Sequence, residues 1–313
     1  MGSEGGAAPW PPQTVPMSGR KLTIRRADPA THDGNFQSAL FVHGLGGSSL
    51  DWTELMGLVC SDMLCEAIDL PGFGYSPPAS RRRDGTIAGY ARIVAEFIKF
   101  NGRGPVHLVG NSMGGAVATR IAALRPELVR TLTLISPALP DLRPSRTAAM
   151  VGAVGLPGLG ARFVRKLAAI QPERRLELLL QMIFANPNAI TPEWRDAAVE
   201  EIKRRAALPY SSSVMVSSTR AVLKAYTDPR PVRLWRLAGR VRAPTLLVYG
   251  REDKLVHPRN AGRALSTFPN STLLFLEESG HVAHMEHPDR VADAMRELIK
   301  RGGQLGIYRE DAE

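Results

Sequence analysis

Cysteine is scarce in this chain of 313 residues: Cys60 and Cys65 are the only two. Two thiols cannot build a disulfide framework, and their spacing fits no metal site, so both are expected as free thiols in a reducing, cytoplasmic compartment. Long apolar runs are missing as well. No stretch of about 18 apolar residues occurs, which excludes an ordinary membrane-spanning helix. The opening Met1 to Pro16 has neither an apolar run nor a basic start, so it is not read as a secretory leader. Gly6 stands where a myristoylation signal following Met1-Gly2 needs Ser or Thr. Rich in Gly, Pro and Ala with little to bury, residues 1–20 are expected to be a flexible extension. Acidic residues are outnumbered 30 to 40 by Lys and Arg, giving a formal charge of +10. The whole excess sits between Leu139 and Arg242, with 18 basic and 8 acidic residues, and the remainder is balanced. A charge confined to one segment reads as a solvated basic face and excludes a nucleic-acid partner. Attraction of acidic substrates, or weak association with a membrane surface, is the sharper expectation.

What is present is a large apolar complement, 44% of residues, arranged as alternating strands and helices. Leu22–Arg26 alternates like a short edge strand, whereas Ala39–Val42 is a continuous apolar run of the kind a buried parallel strand needs. A helix from Ser48 to Val59, a strand at Cys65–Leu70, a helix containing Tyr90, Ile93, Val94, Phe97 and Ile98, and strands at Val106–Val109 and Leu132–Ile135 continue the pattern. This is the signature of a doubly wound, mostly parallel α/β sheet. From Leu139 to about Arg230 the strands stop, and helical spacing appears at Ala161–Ala169, Glu173–Ile183, Glu193–Ala206 and Val214–Tyr226. Glycines and a proline punctuate Met150–Gly160, which predicts a bent lid segment. Strands resume at Pro244–Tyr249 and Thr272–Leu276, with helices at Pro258–Leu265 and Pro288–Lys300. The expected organisation is an extension (1–20), a core (21–138), a helical cap (139–230), the rest of the core (231–302) and a tail (303–313).

The chemistry centres on Gly110-Asn111-Ser112-Met113-Gly114-Gly115, which joins a strand to a helix start. A serine on so tight a turn needs small neighbours two residues to either side, and Gly110 and Gly114 supply them. A serine hydroxyl is a weak nucleophile at neutral pH, so it needs a base and a carboxylate that orients the base. In a parallel sheet the loops after the strands share one end, and three of them carry Ser112, Asp253 and His281, in that order. Asp69, at a strand end before Pro71-Gly72-Phe73-Gly74-Tyr75-Ser76, is expected to bind backbone groups of that loop. His43 is expected to support the glycine-rich loop Gly44-Leu45-Gly46-Gly47 through ring hydrogen bonds. His107 falls inside a strand, and His257 beside Pro258 reads as a helix start. His281, His284 and His287 are spaced by three, which matches no standard metal site, so neither a metal nor a cofactor is expected.

These motifs together resemble the α/β-hydrolase superfamily with a helical cap. They comprise Phe41-Val42-His43-Gly44-Leu45-Gly46-Gly47, Asp69 to Ser76, the serine turn, Gly250-Arg251-Glu252-Asp253, and Gly280-His281 with Glu286-His287-Pro288. The resemblance spans Lys21 to Lys300 except for the cap. It implies that Ser112 is the nucleophile, His281 the general base and acid, and Asp253 the partner of His281, with Asp141 as the alternative acid. It further implies an oxyanion hole built from the backbone N–H groups of Met113 and Leu45. A serine nucleophile argues against epoxide hydrolase and haloalkane dehalogenase chemistry, for which relatives place aspartate there. The expected activity is hydrolysis of carboxylic esters, including thioesters and lactones, with a small apolar acyl substrate as the partner. A carbon–carbon hydrolase acting on aromatic ring-fission products is the alternative, although the loop after His43 lacks the Gly-Pro-Gly of those enzymes and Val282 replaces their usual aromatic residue. A non-catalytic small-molecule receptor on the same fold is the third reading.

Overall fold

The computed structural model describes residues 10–17, 19–29, 36–141, 143–156, 158–188, 190–227 and 234–304. Its strands are β1 (Gln13–Met17), β2 (Arg20–Ala27), β3 (Ser38–Val42), β4 (Leu64–Asp69), β5 (Val106–Asn111), β6 (Val129–Ile135), β7 (Thr245–Gly250) and β8 (Ser271–Leu276). The helices are α1 (Thr53–Val59), α2 (Ile87–Phe100), α3 (Met113–Leu124), α4 (Arg146–Ala153), α5 (Leu159–Ala168) and α6 (Pro172–Ile183). They continue as α7 (Pro192–Ala206), α8 (Ser211–Thr227), α9 (Leu234–Ala238), α10 (Asn260–Thr267), α11 (Ala283–Glu286) and α12 (Pro288–Gln304).

All eight strands form one sheet in the order β1-β2-β4-β3-β5-β6-β7-β8. The pairs from β4 to β8 are parallel, and β1–β2 and β2–β4 are antiparallel. Every residue of β3, β4, β5 and β7 is buried, which fits their mostly apolar sequences, broken in β4 by Glu66 and Asp69 and in β5 by His107 and Asn111. One face is covered by α1 and α12, where Leu55, Met56, Val291 and Met295 pack with Phe41 and Val248. The other face is covered by α2, α3, α9 and α10, with Val94, Phe97, Val117 and Leu237 against Leu40, Leu108 and Leu247. The chain leaves β3 for β4 on one side and β5 for β6 on the other. The crevice at the C-terminal ends of β3 and β5 is therefore the switch point where ligands of such sheets bind.

Between β6 and β7 rise α4 to α8. The last four match the helices predicted from spacing, and the bent segment resolves into α4, a turn with Gly158 at φ +77°, and α5. Serine 145 caps α4 by accepting from Ala148 N, a signal that the glycine punctuation masked. A third apolar cluster seats these helices on the core: Leu176, Leu180, Phe184 and Trp194 pack with Leu50, Val282 and Met285.

The N-terminal expectation needs correction. Gln13–Met17 is an ordered edge strand paired with β2 (Val15 opposite Leu22), and Met17 is buried. Backbone pairing holds it, with Met17 as its one buried side chain and Val15 packed against the core, so its composition gave little sign of order. It follows that Leu22–Arg26 is not an edge: β2 lies between β1 and β4. Residues 1–9 lie outside the described residues. The helix expected at Ser48–Val59 begins as a 3-10 turn, Ser49–Trp52, and α12 runs two residues past the expected core boundary at 302. The tail from 305 onward lies outside the described residues. No helix among the described residues is long and apolar enough to cross a membrane. Cys60 and Cys65 are both free thiols.

Candidate active site

Serine 112 sits between β5 and α3 with φ +51° and ψ −115°, a conformation that L-residues adopt only where the surroundings enforce it. The enforcement is visible in the neighbouring glycines. A Cβ at Gly110 would come 2.5 Å from Gly114 O, and one at Gly114 would come 2.0 Å from Val42 O. Both contacts are below any real van der Waals separation, so the turn closes only with glycine at these positions. The Ser112 carbonyl accepts from Ala116 N (3.1 Å) and Ala138 N (2.9 Å), and its N–H donates to Ile135 O (3.0 Å). The hydroxyl-bearing residue is thus held from three sides.

The loops after β7 and β8 bring Asp253 and His281 together. His281 Nδ1 lies 2.9 Å from Asp253 Oδ2, with both side chains almost wholly buried. Asp253 Oδ1 accepts from the N–H groups of Leu255 and Val256, each at 2.8 Å. Burial alone would push this carboxyl upward, but His281 and the hydrogen bonds outweigh it and hold Asp253 below the usual carboxylate range. Ser136 Oγ is buried beside the same carboxylate without meeting a partner in hydrogen-bond geometry, so the two N–H groups are the firm contacts. An ionised acceptor at Oδ2 places the ring proton on Nδ1 and leaves Nε2 as the free base of His281. Among the described residues no hydrogen bond joins Ser112 Oγ to His281, a contact that is often long in free enzymes. The alternative acid, Asp141, is elsewhere: Arg259 Nη2 (2.9 Å), Asn260 Nδ2 (3.2 Å) and Arg143 N (2.8 Å) surround it.

The glycine loop after β3 abuts the serine turn, since a Cβ at Gly44 would lie 3.2 Å from Ser112 Cβ. His43 sets the orientation of this loop. Its ring is fully buried, and burial drives its pKa down to about 4, so it is neutral. Nε2 accepts from Leu70 N (3.0 Å), which leaves the proton on Nδ1 to donate to Gly44 O (2.7 Å). Gly47 N also donates to Gly44 O (3.3 Å), closing a tight turn in which Gly46 has φ +82°. The Gly44–Leu45 peptide is trans, so with the Gly44 carbonyl held by His43 and Gly47 the Leu45 N–H points the opposite way. The Met113 N–H starts α3, where helix geometry leaves it without an intrahelical partner. Gly44, which precedes Leu45, and Met113 at the start of α3 thus both adjoin Ser112. Asp69 behaves as expected, accepting from Tyr75 N (2.8 Å) and Ser49 N (2.7 Å).

The other histidines separate. His284 stacks on Trp52 with ring centroids 4.2 Å apart, and burial lowers its pKa to about 3. His287 Nε2 donates to Glu278 O at 3.0 Å, and His107 bridges Thr131 and Gln37 within the core. Among the described residues, no group of three His, Cys, Asp or Glu is placed to hold a metal.

Two residues that stood inside the quoted motifs without a role tie the site together. Asn111 Nδ2 donates to both Ile135 O (3.1 Å) and His281 O (3.0 Å), linking the serine turn to the histidine loop. Glu286 accepts from Gly280 N (2.6 Å) through one oxygen and from Ala185 N (2.7 Å) through the other, binding that loop to the end of α6. His281 N donates to Ile183 O (2.7 Å) at the same junction. Ala185 lies 101 positions from Glu286 and His281 lies 170 from Asn111, so no local pattern announces these two bonds.

Comparison with known proteins places the fold. Residues 40–288 match the family described as alpha/beta hydrolase fold. A 2-hydroxy-6-oxononadienedioate/2-hydroxy-6-oxononatrienedioate hydrolase of Burkholderia vietnamiensis is 27% identical over 298 residues, covering 92% of this chain and 94% of that protein. The dihydrolipoyllysine-residue acetyltransferase component of the acetoin cleaving system of Cupriavidus necator is 25% identical over 260 residues, which is 82% of this chain. The match spans only 62% of that longer protein. Among solved structures, a membrane phospholipase A described as a bacterial virulence factor superposes with a TM-score of 0.76 at 21% identity, over 95% of this chain and 87% of that one. A 2-hydroxy-6-oxo-6-phenylhexa-2,4-dienoate hydrolase from a Rhodococcus species gives 0.75 at 19% identity, over 92% and 98%. At such identities the structural likeness speaks for the fold.

Proposed function

We propose, for a chain that belongs to the α/β-hydrolase family, that it is a serine hydrolase that cleaves carboxylic esters, thioesters or lactones of small apolar acids. The observation that carries this reading is the buried His281–Asp253 pair, 2.9 Å apart, beside a serine held at φ +51°. In this mechanism Ser112 Oγ attacks the acyl carbon while its proton passes to His281 Nε2. The carbonyl oxygen, now negative, is received by the N–H groups of Leu45 and Met113. Collapse of the tetrahedral intermediate expels the alcohol, which takes the proton from His281, and leaves an acyl group on Ser112. Water then gives its proton to His281 and attacks the acyl-serine, releasing the acid and restoring the hydroxyl. Asp253 keeps the ring in its Nδ1–H form and stabilises the imidazolium each time it forms.

A second reading, hydrolysis of a carbon–carbon bond in a ring-fission dienoate, is favoured by relatives named for that activity that match along almost their full length. Against it stand the loop Gly44-Leu45-Gly46-Gly47 and the apolar Val282, whose side chain is buried in the seat of the cap. A panel of activated esters of increasing acyl length, run beside a ring-fission dienoate, separates the readings. The wild type is expected to turn over at least one ester, and Ser112→Ala to lower that rate by about 10⁴-fold or more. Turnover of the dienoate alone would replace the ester reading by the second. Binding without turnover of either class would contradict both.

A further inference from the structure

Two cap side chains reach the loop that carries the Leu45 N–H. At the end of α7, Arg205 Nη1 donates to Gly46 O at 2.5 Å, and Glu201 Oε2 accepts from Ser48 Oγ at 2.9 Å. The two residues face each other, with Arg205 Nη1 3.6 Å from Glu201 Oε1, and their side chains are only 17% and 10% exposed. Such burial separates this pair from a surface ion pair, whose contribution water would largely cancel. Arg205 also lies over the Phe73 ring at 5.7 Å, and the neighbouring Arg204 donates to Gly74 O while stacking on Tyr75 at 3.8 Å. Both guanidinium groups are therefore engaged with the two glycine loops rather than free for a substrate carboxylate.

The Leu45 turn is consequently held from two sides. The core grips it through His43 at Gly44 O and through Asp51, whose Oδ2 accepts from Ser48 N at 3.1 Å. The cap grips it through Arg205 at Gly46 O and Glu201 at Ser48 Oγ. The residues between these anchors, Leu45 to Gly47, include two glycines and a positive φ, a backbone that many conformations suit equally once an anchor is lost.

We propose that Glu201 and Arg205 are positioning residues for the oxyanion hole, holding the turn so that the Leu45 N–H is aimed at the reacting carbonyl. The role rests on the serine-hydrolase reading, in which Leu45 is a donor to the oxyanion. It makes hole geometry a property of the seated cap rather than of the core alone, and it enters the rate of the chemical step rather than substrate capture.

The test compares an activated ester with its thionoester, in which sulfur replaces the carbonyl oxygen. Sulfur accepts hydrogen bonds weakly, so the oxygen-to-sulfur ratio of kcat reads the hole directly. In Arg205→Met the ester kcat is expected to fall about tenfold, the loss typical of one charge-assisted hydrogen bond, with KM within about twofold and the oxygen-to-sulfur ratio reduced in step. Arg205→Lys, which keeps a donor, is expected to restore part of the ratio. An unchanged ratio in a folded Arg205→Met overturns the positioning role. If that variant does not fold, Glu201→Gln serves: it can still accept from Ser48 but leaves Arg205 without its counter-charge, and it must lower the ratio or the role is refuted. A wild type inert towards both esters, or matched by Ser112→Ala, overturns the serine-hydrolase reading and this role with it. A normal wild type with an unaltered ratio in the variant overturns the positioning role alone.

Discussion

Core and cap solve different problems with different chemistry. In the core, buried polar groups near the site make paired contacts: Asp69 serves two N–H groups, His43 works through both ring nitrogens, and Asn111 binds two carbonyls. In the cap, α4 has no buried residue, and Met150, Leu156, Phe163, Leu178 and Leu179 are exposed. The cap, residues 139–230, carries 14 basic against 8 acidic residues. The contrast teaches that Ser112 and His281 are held by short contacts within the core, while the cap touches the site at few points. Those points are the seat around Leu180 and Phe184, the Glu286 junction behind His281, and the α7 contacts on the glycine loop.

The sharpest way to break the contrast is to disturb a core position that has no slack. Gly114→Ala puts a methyl group 2.0 Å from Val42 O, and the serine turn must open to admit it. Activity is expected to vanish, with soluble yield and thermal midpoint falling together. Next in size is the cap seat. Phe184 is fully buried, and Phe184→Ala is expected to cost about 3–5 kcal/mol in denaturant unfolding. Phe163→Ala, at a side chain 40% exposed on α5, is expected to change stability by less than about 0.5 kcal/mol. Similar losses for the two phenylalanines would erase the distinction between seated and exposed parts of the cap.

A smaller effect, visible only as a pH dependence, lies at the junction itself. Asp51 has its pKa raised from 3.8 to about 7, first by burial and then by Glu201, with Asp69 adding to the shift and Ser48 N and Arg205 opposing it. Because the folded value lies above the unfolded one, the native chain binds the extra proton between about pH 4 and 7. Stability from this group is thus complete at the acidic end of that window and is lost as pH rises through it. Asp51→Asn is expected to flatten that limb of the stability-versus-pH curve, as followed by thermal unfolding. An unaltered slope would place the carboxylate in a more watery setting than the junction provides.

Much of the site was legible in the sequence because its constraints are local. Gly110 and Gly114 flank Ser112 at fixed spacing, apolar runs mark the buried strands, and the order Ser112, Asp253, His281 follows from three loops at one end of a parallel sheet. What stayed hidden depends on partners far along the chain. Glu201 and Arg205 read as part of a solvated basic helix, yet their partners at Ser48 and Gly46 lie 153 and 159 positions away. Gln13–Met17 stayed hidden for a different reason, since a strand held by its backbone leaves almost no trace in side-chain composition. Asn111 lay inside the motif itself, but its bond to His281 O became visible only once the histidine loop was folded beside it.

The most direct measurement on the chemistry of Ser112 is the mass of the intact chain after brief exposure to a fluorophosphonate, followed by mapping of the modified peptide. One phosphonyl group on Ser112 is expected in the wild type, with a sharp loss of labelling in His281→Ala and none in Ser112→Ala. Labelling at another residue, or equal labelling of wild type and Ser112→Ala, would contradict the assignment of Ser112 as nucleophile.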